Sequence, residues 1–185
     1  MSLGLPEVAP PQDWARGGSE HAVQIEPDGK RIRKWTRLAP EGGLGFQIGV
    51  GHGWDKATQQ FVAHVGWERR QTPAEYLERI ALFNRLFSDD IRFEGYSKKS
   101  DGAVVIVTSQ RLLEGDHPPQ ADIDRWLADR GFSRVRSAGE LPAAYRARDG
   151  VVLFDIKPAN FIRDSQGRLH AIDVIVSRWD DAGFE

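Results

Sequence analysis

Residues 151–176 read VVLFDIKPANFIRDSQGRLHAIDVIV, and each of the two apolar runs in that stretch carries an aspartate, Asp155 closing the first and Asp173 inside the second. A carboxylate in a buried run is costly unless something pairs with it, so these two positions constrain the fold more than any others in the chain. Val151, Val152, Leu153 and Phe154 read as a short buried strand, and Asp155-Ile156-Lys157-Pro158-Ala159-Asn160 as the loop that leaves it. Phe161-Ile162 resume an apolar run, Asp164-Ser165-Gln166-Gly167 has the chemistry of a turn, and residues 170–176 read as a returning strand. The expectation is one hairpin whose mouth gathers Asp155, Lys157, Asn160 and Asp173. A turn of Asp, Pro and Asn between strands is also common as plain structure, in which the aspartate only caps or pairs.

The gathered set suits chemistry on a nucleoside triphosphate. One carboxylate orients or deprotonates an acceptor hydroxyl, a second, helped by an Asn carbonyl, holds Mg²⁺ on the phosphates, and a lysine offsets charge on the transferred group. Oxygen ligands of this kind do not suit Zn²⁺. Asp155-x-Lys157-Pro158-x-Asn160 resembles the catalytic loop of the protein-kinase superfamily, and Ile172-Asp173 resembles its metal-binding aspartate. Leu153-Phe154 stand where that superfamily has His-Arg, and Asp173-Val174-Ile175 where it has D-F-G. The latter departure is more like the aminoglycoside and choline kinase branch.

Upstream segments follow the same order. Gly17-Gly18-Ser19-Glu20-His21 could bring backbone N–H groups to a phosphate. Residues 21–25 and 30–36 flank the turn Glu26-Pro27-Asp28-Gly29 and read as a β-hairpin. The kinase resemblance makes Lys34, ending a third strand, the partner of the α- and β-phosphates, with Val23 and Ile32 over the adenine ring; without it, Lys34 is a solvated strand lysine like its neighbours. Gly49-x-Gly51-x-Gly53 lacks the spacing of a nucleotide loop, and residues 40–70 read as an irregular insertion or hairpin.

Thr72-Pro73-Ala74-Glu75 is a capping box with proline at the first helical position, opening a helix to about Phe87 whose shared face is Leu77, Ile80, Ala81, Asn84 and Phe87. The resemblance implies a helix glutamate paired with Lys34, and Glu78 suits this better than Glu75, which is occupied at the cap. Residues 91–96 and 103–108 are two more strands. Residues 109–115 resemble the kinase hinge, in which Gln110 and Leu112 would offer backbone groups to adenine, and Ile162 would floor the adenine pocket. Residues 120–130 read as an amphipathic helix stopped by Gly131. The short stretch after Asp173 has no room for an activation segment or a peptide-docking helical platform.

Composition serves mainly to exclude. A net charge of −2 and a pI near 6.2 give no general signal for nucleic acid or an anionic membrane. The absence of cysteine rules out disulfides and thiolate metal sites, and no apolar run is long enough to span a membrane. The expected compartment is the cytoplasm.

The ordered pattern over about residues 15–178 resembles the compact kinase-like domain found in polyvalent proteins of phages and mobile elements. The fold it implies is α+β and protein-kinase-like. A flexible lead-in at 1–14 precedes an antiparallel N-lobe with one helix at 15–113, and a reduced C-lobe at 114–185 carries the catalytic-loop hairpin. The implied function is an ATP·Mg²⁺-dependent phosphotransferase acting on an unidentified hydroxyl, with Asp155 and Lys157 catalytic and Asn160 and Asp173 on the metal. The alternative is a nucleotide-binding pseudokinase or protein-interaction domain without turnover, which would work through a partner domain or protein.

Overall fold

The computed structural model describes residues 4–38, 44–57, 59–137 and 141–179. Expectations that fall on residues 1–3, 39–43, 58, 138–140 and 180–185 lie outside them. In chain order the elements are β1 (His21–Ile25), β2 (Arg31–Thr36), β3 (Leu44–Asp55), β4 (Gln60–Gln71), α1 (Pro73–Phe87), β5 (Arg92–Lys98) and β6 (Val104–Arg111). These are followed by α2 (Gln120–Ala128), β7 (Ser133–Val135), β8 (Ala143–Arg146), β9 (Val151–Phe154), a 3-10 turn (Pro158–Asn160), β10 (Phe161–Arg163), β11 (Leu169–Ala171) and β12 (Ile175–Arg178). Strands and helices are both present, so the chain is α+β. It divides into two compact units, Met1–Phe46 with Arg70–Leu112, and Gln47–Arg69 with Leu113–Glu185. The hairpin residues 47–69 thus group with the second unit instead of the expected N-lobe.

The first unit is built on an antiparallel sheet in the order β1-β2-β6-β5. β6 is buried from Val105 to Gln110, as its unbroken apolar start predicts for a central strand. Ala22, Trp35, Val105 and Val107 make the core of one face; Leu44, Tyr76 and Ile106 make a second cluster that includes α1. α1 begins where the capping box places it, with Thr72 Oγ1 accepting from Glu75 N–H at 3.3 Å and Glu75 Oε2 accepting from Thr72 N–H at 2.8 Å.

Its buried face differs from expectation. Tyr76, Arg79, Leu82 and Phe83 are buried while Ala81 is exposed. The helix is rotated because Tyr76 and Arg79 carry polar ends that find buried partners, and pattern reading favours wholly apolar side chains.

Over its described residues the lead-in, expected to be flexible, docks on the first unit. Val8 N–H donates to the Tyr96 carbonyl at 2.7 Å, Tyr96 N–H donates to the Pro6 carbonyl at 3.1 Å, and Trp35 Nε1–H reaches the Ala9 carbonyl at 3.1 Å. Pro-rich backbone offers few donors, and here one acceptor, the Pro6 carbonyl, and one donor, the Val8 N–H, cover the outer edge of β5 at Tyr96.

The second unit has an antiparallel sheet in the order β12-β9-β8-β7. All four residues of β9 are fully buried, and Ile123 and Leu127 of α2 are buried as well. β3 and β4 pair as a two-stranded sheet. The glycines at 51 and 53 lie along β3 and make room for the His64 ring, which a Cβ at Gly51 would meet at 3.1 Å.

Candidate active site

β9 delivers Asp155 into a left-handed backbone conformation, φ +61°. Aspartate tolerates this region better than most residues, yet the conformation persists only where surrounding bonds hold it. Those bonds come from the loop itself. Asn160 Nδ2 donates to the Asp155 carbonyl at 2.7 Å and to Asp155 Oδ2 at 2.9 Å, and Lys157 N–H donates to the same carbonyl at 3.0 Å. Pro158 opens the 3-10 turn that carries Asn160 back over the loop, with Asn160 N–H donating to the Lys157 carbonyl at 2.9 Å. Because both contacts of the Asn160 side chain need a donor, its amide orientation is settled and its carbonyl oxygen is the atom left to accept or to ligate. Lys157 Nζ lies 2.9 Å from Asp155 Oδ1, at an angle that makes no hydrogen bond.

The expected single hairpin proves to be two nested antiparallel pairs. Phe154 of β9 lies opposite Ile175 of β12, and Phe161 of β10 lies opposite Ala171 of β11. Residues 155–160 and 172–174 are therefore the two chain crossings between the same two strand pairs, and Ile172 N–H fastens them by donating to the Asn160 carbonyl at 2.9 Å. Register thus brings the exposed Asp173 to the loop that carries Asp155, Lys157 and buried Asn160.

What holds this loop from behind was not legible in the sequence. Ile156 N–H donates to the Pro142 carbonyl at 3.2 Å, and Gln120 at the start of α2 donates to the Ile156 carbonyl at 3.0 Å. His117 Nδ1 lies 2.8 Å from the Phe161 carbonyl, and Trp126 meets the Phe161 ring edge-on, 6.0 Å between centroids. Asp116 and Arg163 exchange backbone bonds of 3.1 and 2.8 Å. Arg163 also pairs with Asp122, and its hydrogen bond holds that carboxyl below its ordinary value despite the opposing effect of desolvation. At the hairpin turn, Asp164 accepts from Arg168 and lies 3.0 Å from His170 Nε2; the His170 hydrogen bond is the main cause of its strongly depressed pKa. No run of residue types marks the supports behind the loop; Gln120 and His117 each meet a backbone carbonyl more than thirty residues away in sequence.

The remaining candidates lie as follows. Ile162 is buried in β10 opposite His170. In the first unit Lys34 sits inside β2, the second strand of the chain and not a third, opposite Val23 and Thr108. Ile32 lies opposite Ile25 and Gln110, so the pleat puts Val23, Ile32, Lys34 and Gln110 on one face of the sheet. Gln110 lies within β6, not in a connector, and its side chain bonds to Asp89. Leu112 N–H donates to the Lys30 carbonyl at 2.8 Å, which extends the sheet by one bond and engages the donor expected to meet adenine. Glu78 is exposed on α1, as the one-residue rotation of that helix requires, and the neighbouring Arg79 pairs with Glu20.

The side-chain oxygen of Asn160, left to ligate by the orientation of its amide, and the Asp173 carboxylate make an all-oxygen set on the two segments that the Ile172 N–H fastens together. That set fits a hard divalent cation such as Mg²⁺ and offers nothing to a soft one. No curated protein and no solved structure gives a significant match to the chain. A family model does match: residues 55–178 fit the one described as a serine/threonine/tyrosine kinase found in polyvalent proteins, a span that begins after Lys34 and contains the whole 155–173 loop system. With more than half of its 185 residues matched, the chain belongs to the family of serine/threonine/tyrosine kinases found in polyvalent proteins.

Proposed function

We propose that the protein is a phosphotransferase that uses ATP and Mg²⁺ to phosphorylate a hydroxyl. The observation that carries the reading is the Asp155–Asn160 loop, folded on itself and fastened to the segment that holds Asp173. Asp155 would orient the acceptor hydroxyl and take its proton, and the Asn160 amide keeps that carboxylate aimed by bonding one of its oxygens. Lys157 would lie against the transferred phosphoryl group and leave Asp155 as it does so. Asn160 through its carbonyl, and Asp173, would hold Mg²⁺, which supplies neutralisation of the phosphate charge. Lys34 would serve the α- and β-phosphates, and Val23, Ile32 and Ile162 the adenine ring. The family description names serine, threonine and tyrosine, so a protein hydroxyl is the first acceptor to offer. A kinase-like pair of lobes, with the first unit as N-lobe, belongs to the same proposal.

The test is ATP turnover with a mixed serine, threonine and tyrosine peptide substrate, compared for wild type, Asp155→Ala and Asp173→Asn. Asp155→Ala is expected to lose turnover by about a hundredfold or more while retaining thermal stabilisation by Mg·ATP. Asp173→Asn is expected to lose the Mg²⁺-dependent part of that stabilisation. Wild-type turnover in Asp155→Ala would sink the assignment.

A further inference from the structure

Arg79 of α1 and Glu20 form an ion pair inside the first unit, with side chains only 8% and 11% exposed. The Arg79 guanidinium also stands 5.0 Å from the centre of the Tyr76 ring, and the Tyr76 hydroxyl is 2.7 Å from His21 Nε2. Two successive residues where the glycine loop enters β1, Glu20 and His21, are therefore held by two residues one turn apart on α1. Gly45 shows how closely the pair is enclosed. Its φ is +47°, and a Cβ there would collide with Glu20 Oε1 and come within 3.0 Å of Arg79 Nη2.

Glu20 ends the glycine loop, whose Gly17, Gly18 and Ser19 are exposed. The rest of the loop is tied by its carbonyls: Arg37 Nε–H donates to Gly18 at 2.9 Å, Arg37 N–H to Glu20 at 2.8 Å, and Val23 N–H to Arg16 at 3.0 Å. Carbonyls so engaged leave the loop's exposed N–H groups to face an anion. An ionic link from α1 to a strand lysine would need a carboxylate on the helix. The buried link has the opposite polarity, a helix cation on a loop anion, and it ends at the glycine loop.

We infer that Arg79 and Glu20 are positioning residues that couple α1 to the glycine loop, so that α1 governs how tightly the loop holds the phosphates of a nucleotide. The inference rests on the phosphotransferase reading above. Truncating either partner leaves the other charged and buried, which frees the loop end to move toward water.

The experiment uses the full chain as wild type, Arg79→Met, Glu20→Gln and Arg79→Lys, with two readouts. Hydrogen exchange of the amides at 17–20, measured without nucleotide, is expected to accelerate in Arg79→Met and Glu20→Gln and to return toward wild type in Arg79→Lys. Binding of Mg·ATP is expected to weaken about tenfold, about 1.4 kcal/mol, while binding of adenosine, which has no phosphate, stays within about twofold. Unchanged loop exchange overturns the coupling, and so does an equal loss of ATP and adenosine affinity, which a merely structural role would produce. If Arg79→Met does not fold, Glu20→Gln, which keeps the shape of the side chain, carries both readouts. Wild-type protein that binds neither ATP nor adenosine overturns the proposed function, and this inference with it, whatever the variants do.

Discussion

Asn160→Ala isolates the bond that shapes the candidate site. Asn160 is 6% exposed and its Nδ2 makes two hydrogen bonds to Asp155, one to a neutral carbonyl and one to a carboxylate. A neutral bond contributes about 1 kcal/mol and one to a charged group about 1.5–3 kcal/mol. The Asp155 side chain retains 17% exposure, so water recovers part of the second term and the lower end applies, about 2.5 kcal/mol in all. For a domain of this size that lowers the unfolding midpoint by roughly 5–10 °C. The assay is thermal unfolding followed by circular dichroism in buffer free of metal and nucleotide, so that only the loop's own bonds are read. Asn160→Asp, which keeps the shape but sets a second carboxylate against Asp155, should be destabilised at neutral pH and recover as the pH falls toward the ordinary carboxylate range. A midpoint for Asn160→Ala within about 1 °C of wild type would refute the argument that this amide holds Asp155 in its left-handed conformation.

Three further outcomes follow from the structure. Gly115→Ala should destabilise by about 1–3 kcal/mol in denaturant titration, because residue 115 has φ +151° and a Cβ there would overlap the Arg163 carbonyl; a neutral effect would show that the 115–163 approach is dispensable. Thr72→Ala should cost about 1 kcal/mol by opening the capping box of α1, and Thr72→Ser should not. Stability should also decline in acid. Asp149 is depressed chiefly by its hydrogen bond from Arg146, and Asp90, although burial raises it, is brought below its ordinary value by Arg31. A carboxylate with a lower pKa folded than unfolded stabilises the fold fully above the unfolded value near 3.9, and that contribution is lost as pH falls through the folded value. Asp164, depressed mainly by His170, behaves the same way, so Asp164→Asn should flatten the unfolding profile below about pH 4. An unchanged acid limb in that variant would show that the turn does not contribute.

Much was legible in local chemistry. The proline-opened helix at residue 72, the turn at 164–167, and the loop between a buried strand and an Asn all depend on residues within six positions of one another, and such patterns are written directly in the chain. The family followed from the same loop. Contacts between distant residues were not legible. Glu78 suited a pairing with Lys34 because Glu75 is occupied at the cap, yet the α1 residues that turn inward are Tyr76 and Arg79, which meet His21 and Glu20, and Glu78 is exposed. Leu112 looked like a free hinge donor, but β6 continues far enough for that N–H to be taken by Lys30. The lead-in read as loose because proline breaks strands, although the Pro6 carbonyl and the Val8 N–H still meet the edge of β5 at Tyr96. Sequence by itself determined which residues the loop carries and the sharp turns that shape it, since those follow from each residue's own backbone preferences and hydrogen-bonding groups. Only the tertiary structure decided which face of α1 is buried, which backbone donors remain for a ligand, and how Asp173 comes to lie beside Asn160, because each depends on strand register and on partners that no local pattern encodes.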